Sequence, residues 1–449
     1  MKARAPVEMK RFAFSIAAAC AVVPFLRCVP DTGVPGCEVY YLAADGCDDA
    51  DGRTEATAWR TTAKLNGSLP AGAEARLRRG DVFYGPVRVK GGKSKDRPTV
   101  ISAFGVGPDP EISQYKIAVP ETGRWERVAG NLWSIDLCDP ASTFGNPEKN
   151  GNIGFLLVDG AIHGRKLFGD ALPSRQWEFK DDYRKLTVWS RENPALMSKD
   201  IRFAPCVSGI RFAKNLAISH VTVRGTGAHG VSGTGENVTI RDCTFAEIGG
   251  SVLTSYPVKN VRYGNGVECW SDSIDIIVER CVFRDIYDVA FTMQGPSPSR
   301  SWENIHMRDC EVTRCTQAFE IWTTKCRPGI GMKNCSFVRN RCVDTGYCWG
   351  YDTRPNKNVA APLLLYLTET DTCDILVEGN TFVNNRQYLI FKHRGLGYLP
   401  EGYRVSGNRI VNRVGKPVGN TSGKDLKDRA ARLEAEIRAC NVFDEGSGN

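Results

Sequence analysis

Three short segments of the chain carry an acid or a hydroxyl between apolar residues, and they align with one another. They are GVECW at 266–270, AFTMQ at 290–294 and AFEIW at 318–322. If the apolar side chains point inward, strand alternation turns Glu268, Thr292 and Glu320 outward in one row. Carboxyl groups held on one rigid face can donate and accept protons during bond cleavage. The pattern therefore predicts a catalytic pair, Glu268 and Glu320.

Aromatic and amide side chains accompany this row. Trp270, Gln294 and Trp322 each come two residues after a member of the row, so alternation turns them to the same face. The flat apolar face of an indole suits a pyranose ring, and exposed indoles in register need a functional reason. We expect these three side chains to bind substrate and the reaction to be hydrolysis of a glycosidic bond.

The spacing of the acids bears on the course of such a reaction. Glu268 and Glu320 lie two strands apart, which places their Cα atoms about 10 Å apart. Inverting hydrolysis needs roughly 6.5 to 9.5 Å between carboxyl groups and retaining hydrolysis about 5 to 5.5 Å, so inversion fits this pair better. Asp288 is a third catalytic candidate, but it lies about 13 Å along an extended strand from Thr292 and joins only if the chain bends. The alternative for all three acids is a solvated surface position, which suits Asp288 best.

A second hypothesis is β-elimination by a uronate lyase. The segment IFKHRG forms a basic edge in which Lys392 would abstract the proton α to the carboxyl group. Arg354 or Arg394 would neutralise the developing charge. Ca²⁺ is expected as a cofactor only in this case, and the row lacks the aspartate cluster typical of calcium-dependent lyases. The remaining candidates for substrate binding are Trp349, Asp352 and His393. A third hypothesis is a glycan-binding protein without activity.

The acids and indoles lie within a repeat that must position them. Its copies are NVTIRDCTF at 237–245, DIIVERCVF at 275–283, NIHMRDCEV at 304–312, DILVEGNTF at 374–382, YRVSGNRIV at 403–411 and, more weakly, NLAISHVTV at 215–223. Each copy has two short alternating apolar stretches around a turn, and neither stretch can bury its apolar face alone. Stacking of such units about 4.8 Å apart gives one shared core. The repeat therefore predicts an all-β fold, a parallel β-helix solenoid.

One column of the repeat contains small residues just after the turn. They are Cys243, Cys281, Cys310, Asn380 and Asn408. We interpret them as a buried internal ladder, because Cys behaves as a small apolar residue and Asn can bond to its neighbours in adjacent coils. Five scattered histidines provide no cluster with these cysteines, so no metal site is expected. Cys37 and Cys47 are candidates for a disulfide.

The opening of the chain carries a family resemblance. The segments YYLAADGCDDADGRTEATAWRTTAKLN at 40–66 and RRGDVFYGPVRVKGGKSKDRPTVISAFGVGPDPEI at 78–112 resemble secreted bacterial right-handed parallel β-helix proteins of the pectate-lyase-like superfamily. The resemblance extends over nearly the whole mature chain. It implies a right-handed solenoid and a polysaccharide or oligosaccharide partner. It does not imply one reaction, because the superfamily includes lyases, hydrolases and proteins without known activity.

The pattern divides the chain into segments. We expect a signal peptide at 1–28, coils at 38–112, an inserted β-rich side module at 113–205, the main β-helix at 206–419, and a helix with a tail at 420–449. The module is predicted from antiparallel strand pairs that interrupt the coils. The helix should cap the last coil and protect its open edge. Its apolar stripe is Leu426, Leu433, Ile437 and Cys440.

Composition and the amino terminus indicate the compartment. The 449 residues are 42% hydrophobic and 24% charged, which excludes a disordered or polytopic membrane protein. The formal net charge of +8 permits a polyanionic partner without requiring one, and we expect neither nucleic-acid binding nor a membrane span. A basic start followed by an apolar run at 12–26 predicts export to the periplasm, the cell surface or the medium. We expect the exported protein to be a monomer. Cys20 only weakly resembles a lipid attachment site.

Overall fold

The computed structural model describes residues 37–117, 122–137, 152–182, 184–254, 260–355, 359–395, 399–411, 416–420 and 425–444. The expected signal peptide at 1–28 and Cys20 lie outside these ranges. Within them, no helix has the length and apolar character needed to cross a membrane.

Three parallel sheets, here called sheets 1, 2 and 3, run along the described part of the chain. Sheet 1 contains Val39–Leu42, Glu74–Arg78, Thr99–Phe104, Lys214–Ser219, Glu236–Arg241, Ile274–Glu279, Trp302–Arg308, Met332–Val338, Cys373–Glu378 and Tyr403–Ser406. Sheet 2 contains Val82–Tyr84, Glu111–Ser113, Thr222–Thr226, Thr244–Ile248, Val282–Ile286, Glu311–Thr313, Arg341–Val343, Thr381–Val383, Arg409–Val411 and Val442–Asp444. Sheet 3 contains Ile210–Arg211, Val231–Gly233, Val267–Cys269, Val289–Pro296, Gln317–Thr324, Leu363–Thr368, Tyr388–Gly395 and Lys416–Asn420.

Each strand pairs in parallel with the strand one coil later, which is the arrangement of a β-helix. In sheet 1, Ile240 lies opposite Val278, and Val278 lies opposite Met307. These side chains point into one continuous core, where rings stack from coil to coil, as Phe319 and Phe337 do with centroids 5.1 Å apart. The predicted fold, an all-β right-handed parallel β-helix, is confirmed.

The inward corner between sheets 1 and 2 holds the predicted ladder, and the structure extends it. Residues such as Asp309 and Arg339, just before the corner, have a left-handed backbone, with φ of 55° and 54°. The corner ladder consists of Cys243, Cys281, Cys310, Asn340, Asn380, Asn408 and Asn441. From Cys310 onward, each backbone N–H donates to the side-chain oxygen of the next rung, 2.8 to 3.0 Å away. The alignment of the repeat did not include Asn340 or Asn441. The coil that contains Asn340 was not aligned.

The fourteen cysteines in the described ranges are free thiols. The predicted disulfide between Cys37 and Cys47 is therefore wrong. The thiol of Cys37 donates to the carbonyl oxygen of Gly72, 3.1 Å away, and Cys47 is exposed.

The β-rich module contains two four-stranded sheets. One contains Ala161–His163, Leu156–Val158, Ile201–Phe203 and Lys116–Ile117; the other contains Phe179–Asp181, Lys185–Trp189, Leu132–Asp136 and Glu126–Ala129. Both are antiparallel, and they enclose an apolar core of their own. Arg262, from the ribbon Ser251–Val252 and Arg262–Tyr263, ties the module to the coils. Its buried guanidinium donates to the carbonyl oxygens of Gly154 and Gly164 in the module and of Gly250 in a coil.

The helix Asp425–Cys440 caps the carboxyl end of the solenoid. Leu433 and Ile437 are buried in the main core, as predicted, whereas Cys440 is exposed and does not belong to the stripe. The side chain of Leu426 lies outside the described ranges. After the helix, Val442–Asp444 pairs with Arg409–Val411, so the helix lies within the last coil. The other helices are Thr62–Ser68, Pro194–Met197 and Trp349–Thr353, with 3₁₀ turns at Glu55–Thr57 and Thr122–Arg124.

Candidate active site

The predicted row of acids lies on the outer face of sheet 3. Glu268 lies opposite Thr292, which lies opposite Glu320, while the flanking Cys269 and Met293 point into the core. The row faces away from the core, yet it is not solvated, since Glu268 is 6%, Thr292 0% and Glu320 8% exposed. The solvated alternative is therefore wrong for both glutamates. Buried carboxyl groups outside the apolar core need neighbours that hold them.

Glu268 is held from two sides at a single oxygen. The amide of Gln294 donates to its Oε1, and Nε2 of His229 lies 3.3 Å from the same atom. The ring of His229 packs against Tyr263, with ring centroids 5.1 Å apart. Both nitrogens thus face the same carboxyl oxygen of Glu268. Oε2 has no hydrogen bond among the described residues and is available to a water or a sugar hydroxyl.

Glu320 has a different environment. Its Oε2 accepts one hydrogen bond, from the hydroxyl of Thr292 at 3.1 Å. Burial, and then the negative charge of Asp288, raise the pKa of Glu320 to about 8, and the charge of Glu268 acts in the same direction. Glu320 is therefore protonated at neutral pH and can serve as a proton donor.

Asp288 lies where the chain bends, as its approach to the glutamates would require. It comes just before the strand Val289–Pro296, and its charge is felt at Glu320. Its Oδ1 accepts a hydrogen bond of 2.6 Å from Arg354, whose guanidinium lies 5.0 Å from the ring centroid of Tyr287. Arg354 comes from a segment 66 residues further along the chain, so sequence spacing could not place this ion pair.

An aromatic row lies beside the acids on the same face. Its members are Trp270, Gln294, Trp322, Tyr366 and His393. The last four lie in register along the axis, and Trp270 directly follows Cys269, which lies opposite Met293. The rings of Trp270 and Trp322 approach to 6.2 Å across Gln294, and those of Tyr366 and His393 stack at 4.4 Å. The strand Leu363–Thr368 supplies Tyr366, which lies opposite Trp322. Trp270 is 37% exposed, so one end of the row is open to a ligand.

Lys392 does not belong to this face. It lies opposite Leu365, inside the solenoid, and is 2% exposed. Its Nζ has no hydrogen-bond partner among the described residues, and burial lowers its pKa to about 8. The predicted abstraction of a substrate proton by Lys392 is wrong, because the core separates the amine from any substrate. Arg394 is exposed where the strand ends.

Trp349 and Asp352 lie elsewhere as well. The indole of Trp349 packs between Phe155 and Tyr287, with centroids 5.0 and 5.1 Å away, and so joins the module to a coil. Asp352 pairs with Arg386 at 2.7 Å. Both border a cavity of about 820 Å³ next to sheet 2, away from the row of acids. Their predicted role in binding substrate beside Glu268 and Glu320 is therefore wrong.

His229 is the site residue that sequence reasoning missed. It comes just before the strand Val231–Gly233, which pairs with Val267–Cys269. Extending the alignment of sheet 3 by one coil would have brought His229 close to Glu268. Among the described residues, no group of three or more His, Cys, Asp or Glu could hold a metal ion.

Comparison with known proteins gives a likeness of fold. No family model and no curated protein matches the sequence. Similar solved structures include XylC with xylose, at 11% identity and a TM-score of 0.49 over 91% of this chain and 86% of that one. The GH136 lacto-N-biosidase of Eubacterium ramulus matches at 12% identity and a TM-score of 0.43, over 90% and 67% of the chains. The polygalacturonase of Erwinia carotovora matches at 13% identity and 0.33, over 88% and 96%. The parallel β-helix is seen in the structure itself, and these likenesses specify no reaction.

Proposed function

We propose that the protein hydrolyses glycosidic bonds in a polysaccharide or oligosaccharide. Glu320 donates a proton to the leaving oxygen, and Glu268 is the general base that activates water. The observation that carries the proposal is the contrast within one row. Glu320 is desolvated and protonated at neutral pH, whereas Oε1 of Glu268 accepts a hydrogen bond from Gln294 and lies 3.3 Å from Nε2 of His229. Two carboxyl groups in opposed environments are the usual basis of acid and base roles.

Asp288 is assigned a supporting role. Its carboxylate is paired with Arg354 at 2.6 Å. Its negative charge adds to the burial that raises the pKa of Glu320. Glu268, by contrast, keeps one oxygen without a protein partner among the described residues and stands next to the aromatic row. These features favour Glu268 over Asp288 as the group that acts on water.

The aromatic row supports a sugar as substrate. Trp270 and Trp322 offer apolar faces next to the acids, and Gln294 lies between them. The two coil steps between Glu268 and Glu320 leave room for a water molecule, so we expect inversion at the anomeric carbon. Proton NMR of the first-formed product reports the anomer directly.

The test is a panel of glycans, with reducing ends and absorbance near 235 nm measured together. We expect new reducing ends without the absorbance that an unsaturated uronate product gives. Glu320→Gln and Glu268→Gln should each abolish turnover, while the exposed Glu303→Gln on sheet 1 should not. Full activity in both site variants would refute the assignment. A rise at 235 nm would indicate a lyase, and binding without turnover would indicate a glycan-binding protein.

A further inference from the structure

His229 is a buried histidine whose two ring nitrogens face different partners. The side chain is 11% exposed. Nδ1 accepts a hydrogen bond from the backbone N–H of Asn265, with 3.1 Å between the nitrogens. Nε2 points to the other side, 3.3 Å from Oε1 of Glu268. The histidine thus connects the backbone of one coil to the carboxyl group of the proposed base.

The backbone contact determines which ring nitrogen carries the proton. A backbone N–H can only donate, so Nδ1 must present its lone pair to Asn265. In a neutral imidazole the proton then resides on Nε2, the nitrogen that faces Glu268. A second-shell partner of this kind fixes both the tautomer and the orientation of a ring.

The other groups around His229 do not compete for this proton. Burial and the neighbouring Cys206 raise the pKa of Tyr263, so the phenol against the imidazole ring stays neutral. Its hydroxyl lies 3.1 Å from Sγ of Cys206. Glu320, across Thr292, is protonated below a pH of about 8. Oε1 of Glu268 is therefore the acceptor that Nε2 faces.

We propose that His229 is a positioning residue, held by Asn265 as the neutral Nε2–H tautomer, which donates to Oε1 of Glu268 and turns the other oxygen of Glu268 toward the substrate. This inference rests on the proposed role of Glu268 in hydrolysis. It adds a residue that acts through the base without touching the reacting atoms.

The tautomer can be measured without any substrate. In protein labelled with ¹⁵N-histidine, long-range ¹H–¹⁵N correlation at pH 7.5 distinguishes the two ring nitrogens, and His229→Gln identifies the signal. We expect a protonated Nε2 and an unprotonated Nδ1. A proton on Nδ1, or a doubly protonated ring at this pH, overturns the proposal.

The pH profile of kcat/KM tests the effect on Glu268. His229→Phe keeps a ring against Tyr263 but removes the donor, and His229→Gln keeps an N–H at the end of the side chain. We expect the acid limb of the His229→Phe profile to move up by about one pH unit, with a loss of about 10- to 100-fold in kcat at neutral pH. His229→Gln should keep the limb in place, as should the control His306→Gln, whose Nδ1 lies 2.9 Å from Ser336 on sheet 1.

The outcomes separate the two proposals. An unshifted acid limb in a folded His229→Phe protein overturns the role of His229 even if hydrolysis is established. If Glu268→Gln retains full activity, the proposed function fails while the tautomer measurement still stands. If His229→Phe does not fold, equal profiles for His229→Gln and wild type, together with the Nε2–H tautomer, support the proposal. A displaced limb in His229→Gln contradicts it.

Discussion

The corner ladder and the row Glu268, Thr292 and Glu320 both stack polar side chains at the spacing of the coils, and they differ in their bonding. In the ladder, Asn380 accepts from the backbone of Asn340 and donates to the carbonyl oxygen of Phe337, at 2.8 and 2.9 Å. In the row, the buried Glu320 has one hydrogen bond to the described residues, of 3.1 Å from Thr292.

The difference shows how one architecture serves two purposes. In the ladder, each coil forms hydrogen bonds with the polar groups of the next, so the rungs stabilise the solenoid. The chain uses either Cys or Asn at this position. Where a buried acid is left with one weak partner, the local arrangement lowers stability and leaves a proton available for chemistry. Variants of the two stacks should therefore separate activity from stability.

The largest effect is expected from Glu320→Gln. Loss of a general acid should lower kcat by about 10² to 10⁴-fold. The amide still accepts from Thr292, so the fold should be retained. Thermal unfolding followed by circular dichroism, next to glycan turnover, tests both halves of this prediction. A variant that is inactive only because it is unfolded would place Glu320 among the structural residues, like the ladder.

The pH dependence follows from the same carboxyl group. Activity should fall about tenfold per pH unit above a pH of about 8, where Glu320 loses its proton. The folded state holds a proton that the unfolded state releases above 4.5, so this group lowers stability as pH rises from 4.5 to about 8. Glu320→Gln should thus equal wild type in stability at pH 4 and exceed it at pH 9. Equal melting temperatures at pH 9 would contradict the raised pKa.

Asn380→Leu should lower the stability of the protein without changing its activity, the opposite of what is expected for Glu320→Gln. It leaves the backbone N–H of Asn340 and the carbonyl oxygen of Phe337 buried without partners, at a cost of about 2 to 4 kcal/mol in the free energy of unfolding. Turnover per folded molecule should not change. Asn380→Cys is the matched control, since Cys310 occupies an equivalent rung, and chemical denaturation should show a smaller loss. Equal losses in the two variants would mean that hydrogen bonding does not stabilise the ladder.

Lys392→Met should stabilise the protein by about 2 kcal/mol at pH 7. The buried amine has a pKa of about 8 in the folded state against 10.5 when unfolded, so its penalty is complete below pH 8 and disappears as pH rises to 10.5. Denaturation at pH 7 and pH 10 should show a gain that shrinks at the higher pH. Loss of turnover in a stable Lys392→Met variant would restore the lyase hypothesis.

The smallest effect should come from Trp322→Ala, which removes one side of the contact with Trp270. An aromatic contact of roughly 1 kcal/mol corresponds to a rise of about fivefold in KM, with kcat little changed. Trp349→Phe is the control, because that indole lies in the junction with the module. If Trp349→Phe raises KM as much as Trp322→Ala does, substrate binding involves the cavity next to sheet 2.

The fold could be predicted because the repeat has one physical solution. Short alternating stretches with a fixed corner residue bury their apolar faces only by stacking, and alternation then places Glu268 and Glu320 on one face. The coil containing Asn340 escaped alignment, but its neighbours were sufficient to define the architecture.

The position of a site residue could be predicted only where alternation within one strand places its side chain. Lys392 was misplaced because a charged residue in the core runs against the usual distribution, although its register with Leu365 was present in the sequence. Trp349 was misplaced because its environment depends on how the inserted module packs. His229 was missed because the alignment of sheet 3 was not extended to the preceding coil. Arg354 reaches Asp288 from 66 residues further along the chain, and no local pattern encodes that contact.

Tyr287 has a guanidinium near its ring from each of two arginines: Arg262, which holds the module, at 4.7 Å, and Arg354, which holds Asp288, at 5.0 Å. One side chain therefore belongs to both the anchorage of the insertion and the electrostatics of the proton donor. Replacing the inserted module with another one would therefore also change the electrostatic environment of Glu320.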